Sequence, residues 1–487
     1  MKVNLKKLIE FETKYNLIDR KVLDENYWEY CRSTFFYEII TLSKEINHVV
    51  NVNKKITHNE RQIFLKQINK YFFSSKRNTD ILFIADPRRI LQNNQFKQTF
   101  IDDIAESIND EYKIMTIEEP NWKAWNYGMP PHLIPNFTIN LKYTDIYELL
   151  FLLKLKFYKI YKKEELKAIK KEFNYLKNIV NSFFKIDISK KEKEFIDLIF
   201  YFKYMKIKYK KLIKKINPKL VIINYRPTYF KNLMTIICNE IGITTIELQH
   251  GIISSDDPLD KKNPNGSLYK TRANYLFAFG KKLVNEEYLS FNQSEIKYVG
   301  YPYLENKKAE KIAKPNFIKK NYKYIIIISQ SIIGNQFATF ASDLSDYLKN
   351  YPQYKIIFKY HPNELEKDYS QLKKDNIIEI KSMKYDLFQL QNHCICQIGS
   401  YSTGLYEGLS LQLPTIIIKN FVGANSTIRN LINFKQGIYV IKNASDVLKI
   451  LKKIKQPLKT DTAQLWKNNS INNIKKEINK IIIDTKK

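Results

Sequence analysis

Glycine is scarce in this 487-residue chain, with 12 in all, and cysteine is scarcer, with 4. The thiols of Cys31, Cys238, Cys394 and Cys396 are too few for a disulfide framework and lie at no metal-binding spacing. His393 stands beside Cys394, but in the apolar run HCICQIGS, where small thiols pack as core. There is no GxxxxGK[ST] loop, no GxGxxG after a strand, no GxSxG elbow and no HExxH pair. Their absence argues against Walker-type hydrolysis, the dinucleotide fingerprint, serine-hydrolase chemistry and zincin chemistry. No window approaches the roughly 18 uncharged apolar residues of a spanning helix. The opening MKVNLKKLIEFETKYNLIDRK also lacks the continuous apolar stretch of a signal peptide. A cytoplasmic protein is expected, peripheral at most at the inner face of the cytoplasmic membrane.

What the chain has in excess is positive charge, +31 from 81 Lys+Arg against 50 Asp+Glu. An anionic partner follows: nucleic acid, an acidic membrane surface or charged substrates. Abundant Lys, Ile, Asn and Tyr is also how an AT-rich genome biases any protein, so only part of the excess is functional. Hydrophobic residues at 44% and aromatics at 14% supply large cores. The length calls for two or three domains.

Short apolar runs ending in polar turns recur along the chain, as buried parallel strands do. DILFIADPRR (80–89), YKIMTIEEP (112–120), PKLVIINY, ITTIELQHG, NYLFAFG and IKYVGYP form one series. YKYIIIISQS, YKIIFKYHPNE, NIIEIK, HCICQIGS, PTIII and GIYVI form a second. Helical patterns separate them, so the fold class expected is α/β, with two tandem Rossmann-like, doubly wound parallel-sheet domains. The expected organisation is a helical N-terminal extension (1–73) and a first domain (74–305) carrying a basic helical insertion at about 145–216. A linker (306–321), a second domain (322–460) and a helical tail (461–487) follow.

Ligands of such sheets sit beyond the carboxyl ends of the strands. In GSYSTGLYEG the strand stops at Gly399, and Ser400, Ser402 and Thr403 bring hydroxyls to a helix start that suits phosphate. Gly399 is expected to allow the turn and Gly404 the approach of a ligand; Ser402 alone is better read as an N-cap. Glu407 has Gly404 three residues before it, so it is no capping-box acid, and it can accept hydrogen bonds from a ribose diol. His361 in KYHPNE follows a strand and can contact phosphate. His250 in LQHG, also at a strand end, is a candidate general base, as are Asp86 and Glu119. Arg88 and Arg89 end another strand of that domain. Asp256, Asp257 and Asp260 read as a solvated loop rather than a metal site.

The ordered set QHG, AFG with VGYP, KYHPNE and GSYSTGLYEGLSLQLPTIII resembles bacterial glycosyltransferases of the two-Rossmann GT-B type, nearest to those of capsule and surface-polysaccharide synthesis. The HP pair followed by a Ser/Thr cluster is similar to sialyl-, polysialyl- and Kdo-transferases. The outline also resembles CDP-glycerol glycerophosphotransferases. The resemblance implies donor contacts at His361, Ser400, Ser402, Thr403, Gly404 and Glu407. It implies transfer from a CMP- or UDP-sugar to a growing surface glycan, lipopolysaccharide or lipid-linked acceptor, beside other polysaccharide-assembly proteins. With no D-x-D pair in the chain, no metal and no cofactor are expected. A CDP-glycerol- or ribitol-type phosphotransferase is the first alternative. A basic nucleic-acid-binding protein is the second, carried by charge alone, so nucleic acid is not an expected partner. The stretches 149–163 and 196–211 mix aromatics, leucines and lysines at helical spacing. They are either ordinary packed helices or contacts to an anionic membrane.

Overall fold

Runs such as ILFIA and KYIIII have no polar face to offer water, so they form strands where helices cover both sides of a sheet. The computed structural model describes residues 5–43, 79–86, 89–92, 95–120, 137–224, 228–253, 269–284, 289–310, 312–364, 367–381, 385–431, 437–454 and 462–484. In it β1 (Ile81–Ala85) is buried throughout. The hairpin of β2 (Ile90–Gln92) and β3 (Gln95–Lys97) follows. Then come β4 (Ile114–Glu118), β5 (Leu141–Tyr143), β6 (Leu220–Asn224), β7 (Thr244–Leu248), β8 (Tyr275–Ala278) and β9 (Ile296–Tyr298). Apart from the hairpin these strands make one parallel sheet in the order β5-β4-β1-β6-β7-β8-β9.

The second series makes β10 (Lys323–Ile328), β11 (Tyr354–Lys359), β12 (Ile377–Ile380), β13 (Cys394–Gly399), β14 (Thr415–Ile418) and β15 (Ile438–Ile441). Their sheet is also parallel, in the order β12-β11-β10-β13-β14-β15. Each sheet begins in its middle, steps outward, then returns past its first strand. The direction reverses between β1 and β6 and between β10 and β13, where doubly wound sheets open a crevice. The two tandem doubly wound lobes read from the sequence are the observed architecture.

The first lobe's outer layer is made of helices distant in sequence. Helices Leu5–Lys14, Tyr27–Ser43, Lys163–Phe184 and Glu192–Ile216 share one core with Leu82, Ile84, Val221 and Ile223 of the sheet. Glu12, fully buried there, accepts from Trp28 Nε1 at 2.6 Å and pairs with Arg32 at 2.5 Å. The described part of the N-terminal segment is therefore part of this core; residues 44–73 lie outside the described residues.

Helix Pro302–Ala309 leads out of the first lobe, and the chain returns to it at the end. Ile474, Ile478, Ile481 and Ile482 on helix Ser470–Asp484 recur at helical spacing and pack in one cluster with Ile81, Phe83 and Ile104. Glu305 accepts from the backbone N–H groups of Asn469 (2.7 Å) and Ser470 (2.8 Å), capping that helix. Trp466 Nε1 donates to the Tyr406 carbonyl at 3.2 Å, fastening the returning chain to the second lobe.

Candidate functional site

The loop after β7 meets the second lobe directly. A Cβ built on Gly251 would lie 3.0 Å from Thr403 Oγ1, so the QHG loop faces the start of helix Thr403–Ser410 across the gap between the lobes. Buried Gln249 clamps this loop, donating through Nε2 to the carbonyls of Gly251 (2.7 Å) and Leu283 (2.9 Å). Its Oε1 accepts from Phe279 N at 2.7 Å. The His250 ring stacks on Phe100 with centroids 4.9 Å apart, and Phe100 stacks on Tyr301 at 5.4 Å.

Within the second lobe the hydroxyl cluster divides. Ser400 is fully buried and donates to the Val422 carbonyl at 2.6 Å, so its proton is committed to holding the loop after β14. Ser402 Oγ accepts from Gly404 N at 3.2 Å, which is the N-cap expected of it. Of the three, Thr403 faces the other lobe. The glycines also differ from expectation. A Cβ on Gly404 would stand 2.3 Å from Leu387 Cδ2, and one on Gly399 2.9 Å from Leu405 Cδ2. Both spaces are filled by leucines, so these glycines serve helix packing rather than ligand approach or a tight turn. Beneath the helix, Gln397 Nε2 donates to the Leu405 carbonyl and to Thr415 Oγ1, both at 2.7 Å, and fixes its position.

His361 follows β11 in a turn set from below. Its backbone N–H donates to Glu364 Oε2 at 2.9 Å, and fully buried Glu364 also accepts from the Tyr369 hydroxyl at 2.8 Å. A Cβ on Gly334 would lie 1.7 Å from Glu364 Oε1, so a larger residue at that helix start would displace the carboxylate. The carboxylate in HPNE holds the turn.

An electrostatic cluster completes this edge. Burial, then the Asp386 carboxylate, push Glu407 up to about 7. Asp386 caps helix Leu387–Gln391, accepting from Gln389 N at 2.6 Å, and lies 3.5 Å from Lys307 Nζ. Lys359, the last residue of β11, is on the strand face shared by Ile357, which packs in one cluster with Leu405 and Tyr406. Burial lowers its pKa to about 8, opposed by Asp386. Burial, then Asp386, raise the Tyr303 phenol. Reading the sequence identified Glu407 but missed Lys359 and Asp386. Lys359 stood two residues before His361, and Asp386 carried no signal beyond an ordinary cap.

In the first lobe, Asp86 follows β1 at the point where the strand order reverses. Its carboxylate accepts from Asn224 Nδ2 (3.0 Å) and Gln98 Nε2 (3.3 Å) and is 3.8 Å from the buried Lys231 ammonium. Enclosed in this way, Asp86 is an anchor rather than an open base. Glu119 lies 3.8 Å from the same ammonium and opens on a cavity of about 330 Å3 lined also by Glu148, Tyr201, Thr228 and Tyr229. The Tyr301 hydroxyl feels carboxylates of both lobes. Burial, then Glu407 of the second lobe, then Asp103 and Asp86 of the first, hold its hydroxyl protonated well above the usual range. Arg89 is buried against Glu118 in an ion pair. Arg88, Asp256, Asp257 and Asp260 lie outside the described residues. Among the described residues no three His, Cys, Asp or Glu side chains are grouped to hold a metal ion, and all four cysteines are buried.

No protein-family model matches the chain, and no curated protein matches its sequence. Solved structures do resemble it in shape. A putative UDP-N-acetylglucosamine 2-epimerase from Listeria monocytogenes superposes with a TM-score of 0.51 at 10% identity, covering 84% of this chain and 98% of that one. The UDP-GlcNAc 2-epimerase from Neisseria meningitidis bound to UDP-GlcNAc gives 0.50 at 10% identity, covering 82% and 100%. Likeness at such identity speaks for the fold, and the fold is that of GT-B enzymes: two Rossmann-like lobes facing one another across a crevice.

Proposed function

We propose that the chain is a glycosyltransferase that holds a CMP- or UDP-sugar on its second lobe and passes the sugar to a glycan or lipid-linked glycan of the cell surface. The observation that carries this reading is the approach of the QHG loop, which bears His250, to Thr403 at a helix start on the opposite lobe. The backbone N–H groups and hydroxyl at Thr403, with Lys359 at the end of β11 and His361 in the turn after it, are suited to the donor phosphate. Glu407, once ionised, is suited to the ribose diol. The acceptor oxygen attacks the anomeric carbon, its proton passes to neutral His250, and the bond from that carbon to phosphate oxygen breaks. The electron pair leaves with the nucleotide, whose added charge the helix start, Lys359 and His361 stabilise. The stack on Phe100 orients the imidazole.

A nucleotide-sugar 2-epimerase is the second reading, favoured by the shape the chain shares with UDP-GlcNAc 2-epimerases. One assay separates the readings. The chain is incubated with CMP-, UDP- and CDP-linked donors, with and without a surface-glycan acceptor, and the products are weighed. Transfer releases free nucleotide and extends the acceptor by one sugar mass. Epimerisation leaves the sugar on its nucleotide and needs no acceptor, and a polyol phosphotransferase adds a glycerol- or ribitol-phosphate mass. His361→Ala is expected to lower transfer roughly 100-fold, the usual loss for one donor to a developing anion. Unchanged turnover would remove His361 from the reaction.

A further inference from the structure

Helix Asp145–Tyr161 is apolar on two sides. One side is spent on the core, with Phe151 and Leu155 buried and Tyr158 stacked on Tyr204 at 4.0 Å. The other carries Leu153, Phe157, Ile160 and Tyr161, and adjoining helix Glu192–Ile216 adds Ile207. These five large side chains are 55% to 76% exposed. Positions 153, 157, 160 and 161 share one helical face. Around them Lys154, Lys156, Lys162 and Lys163 are exposed. Residues 149–163 contain five lysines and no acidic residue. Burial, then the Lys154 ammonium, lower the pKa of Lys208 on the neighbouring helix, so cations crowd both helices.

We infer that this face seats the protein on an anionic lipid bilayer, with the apolar row entering the headgroup–acyl boundary and the lysines contacting the headgroups. Charge decides the occupant. A second copy would bring an identical lysine-rich rim against this one, whereas an anionic bilayer complements both the rim and the apolar row. No described helix is long and apolar enough to cross a membrane, so the contact is with its surface. The same helix carries Glu148 into the cavity beside Glu119. At 1.5 Å per residue, positions 153–161 begin about 8 Å from Glu148 along the axis and end about 20 Å from it. Glu148 stands roughly 160° around the helix from that row, on the side of Phe151 and Leu155, so the cavity and the membrane face occupy opposite sides of one helix.

The test is sedimentation of the full chain with vesicles of phosphatidylcholine alone and of phosphatidylcholine containing phosphatidylglycerol, at low and high salt. Binding is expected to the anionic vesicles at low salt and to fall at least tenfold without phosphatidylglycerol. The triple variant Leu153→Ser/Phe157→Ser/Ile160→Ser should lose at least tenfold. Lys154→Gln and Lys156→Gln should each cost roughly fivefold. All these changes lie on the surface, and circular dichroism confirms the fold. A wild-type chain that ignores anionic vesicles overturns the inference, and so does a triple variant that binds like wild type. It is equally overturned by a solution dimer that the triple variant converts to monomer. Nucleotide-induced shifts in Tm, read on the same preparations, report on the crevice instead, so failure of the membrane face and failure of the transferase reading remain distinguishable.

Discussion

Glu407 and Lys359 carry the most informative charges in the molecule because burial works against both. An unfolded Glu407 ionises near its ordinary value of 4.5, whereas the folded one keeps its proton to about 7. Between those values the folded state binds more protons than the unfolded one, so this group's contribution to stability falls as pH rises through the window. Glu407→Gln is therefore expected to gain on wild type from pH 4.5 to 7, by on the order of 3 kcal/mol, and to hold a constant difference above. Urea unfolding at a series of pH values measures it, and a difference independent of pH would contradict the assignment. Lys359 titrates at about 8. A phosphate bound beside it would restore its proton, so nucleotide binding at pH 8 should take up about half a proton. Titration calorimetry in buffers of differing ionisation enthalpy reads that uptake, and Lys359→Met should abolish it.

Among the elements, helix Thr403–Ser410 depends most on what lies beneath it. Gly404 is filled by Leu387, so Gly404→Ala should cost about 1–3 kcal/mol of stability. In a Leu387→Ala background the same change should cost at least ~1 kcal/mol less. Equal costs in the two backgrounds would mean the two side chains do not meet. This helix also marks where sequence reading stops. Its start, its Ser402 cap and the strand before it were legible, because a buried strand, a serine and a run of helix formers each follow local rules. The uses of Ser400, Gly399 and Gly404 were not. Each is decided by a partner (Val422, Leu405 or Leu387) brought in by tertiary packing, and a glycine reads the same whether a ligand or a leucine fills its space.

At the scale of the whole molecule the two sheets were legible because parallel strands buried on both faces read as apolar runs at regular intervals. What joins the lobes was not, since nothing local in SINNIKKEINKIIID says that its isoleucines pack beneath β1 some 400 residues earlier. Glu305→Ala removes the cap of that returning helix and should lower amide protection across residues 470–484 roughly tenfold, equivalent to about 1–1.5 kcal/mol, while leaving the second sheet unchanged. Loss of protection throughout the chain would instead mean that the helix is integral to global folding.

The crevice itself is the claim on which the rest depends. Calorimetric titration with CMP, CDP, UDP and GDP, on the wild-type chain and on Lys359→Met/His361→Ala, tests it most directly. The account predicts that at least one nucleotide binds with a Kd below about 1 mM, within the ordinary range for enzyme substrates, and that the double variant binds it at least tenfold more weakly. Equal affinity in the two proteins, or no binding of any of the four, would contradict it.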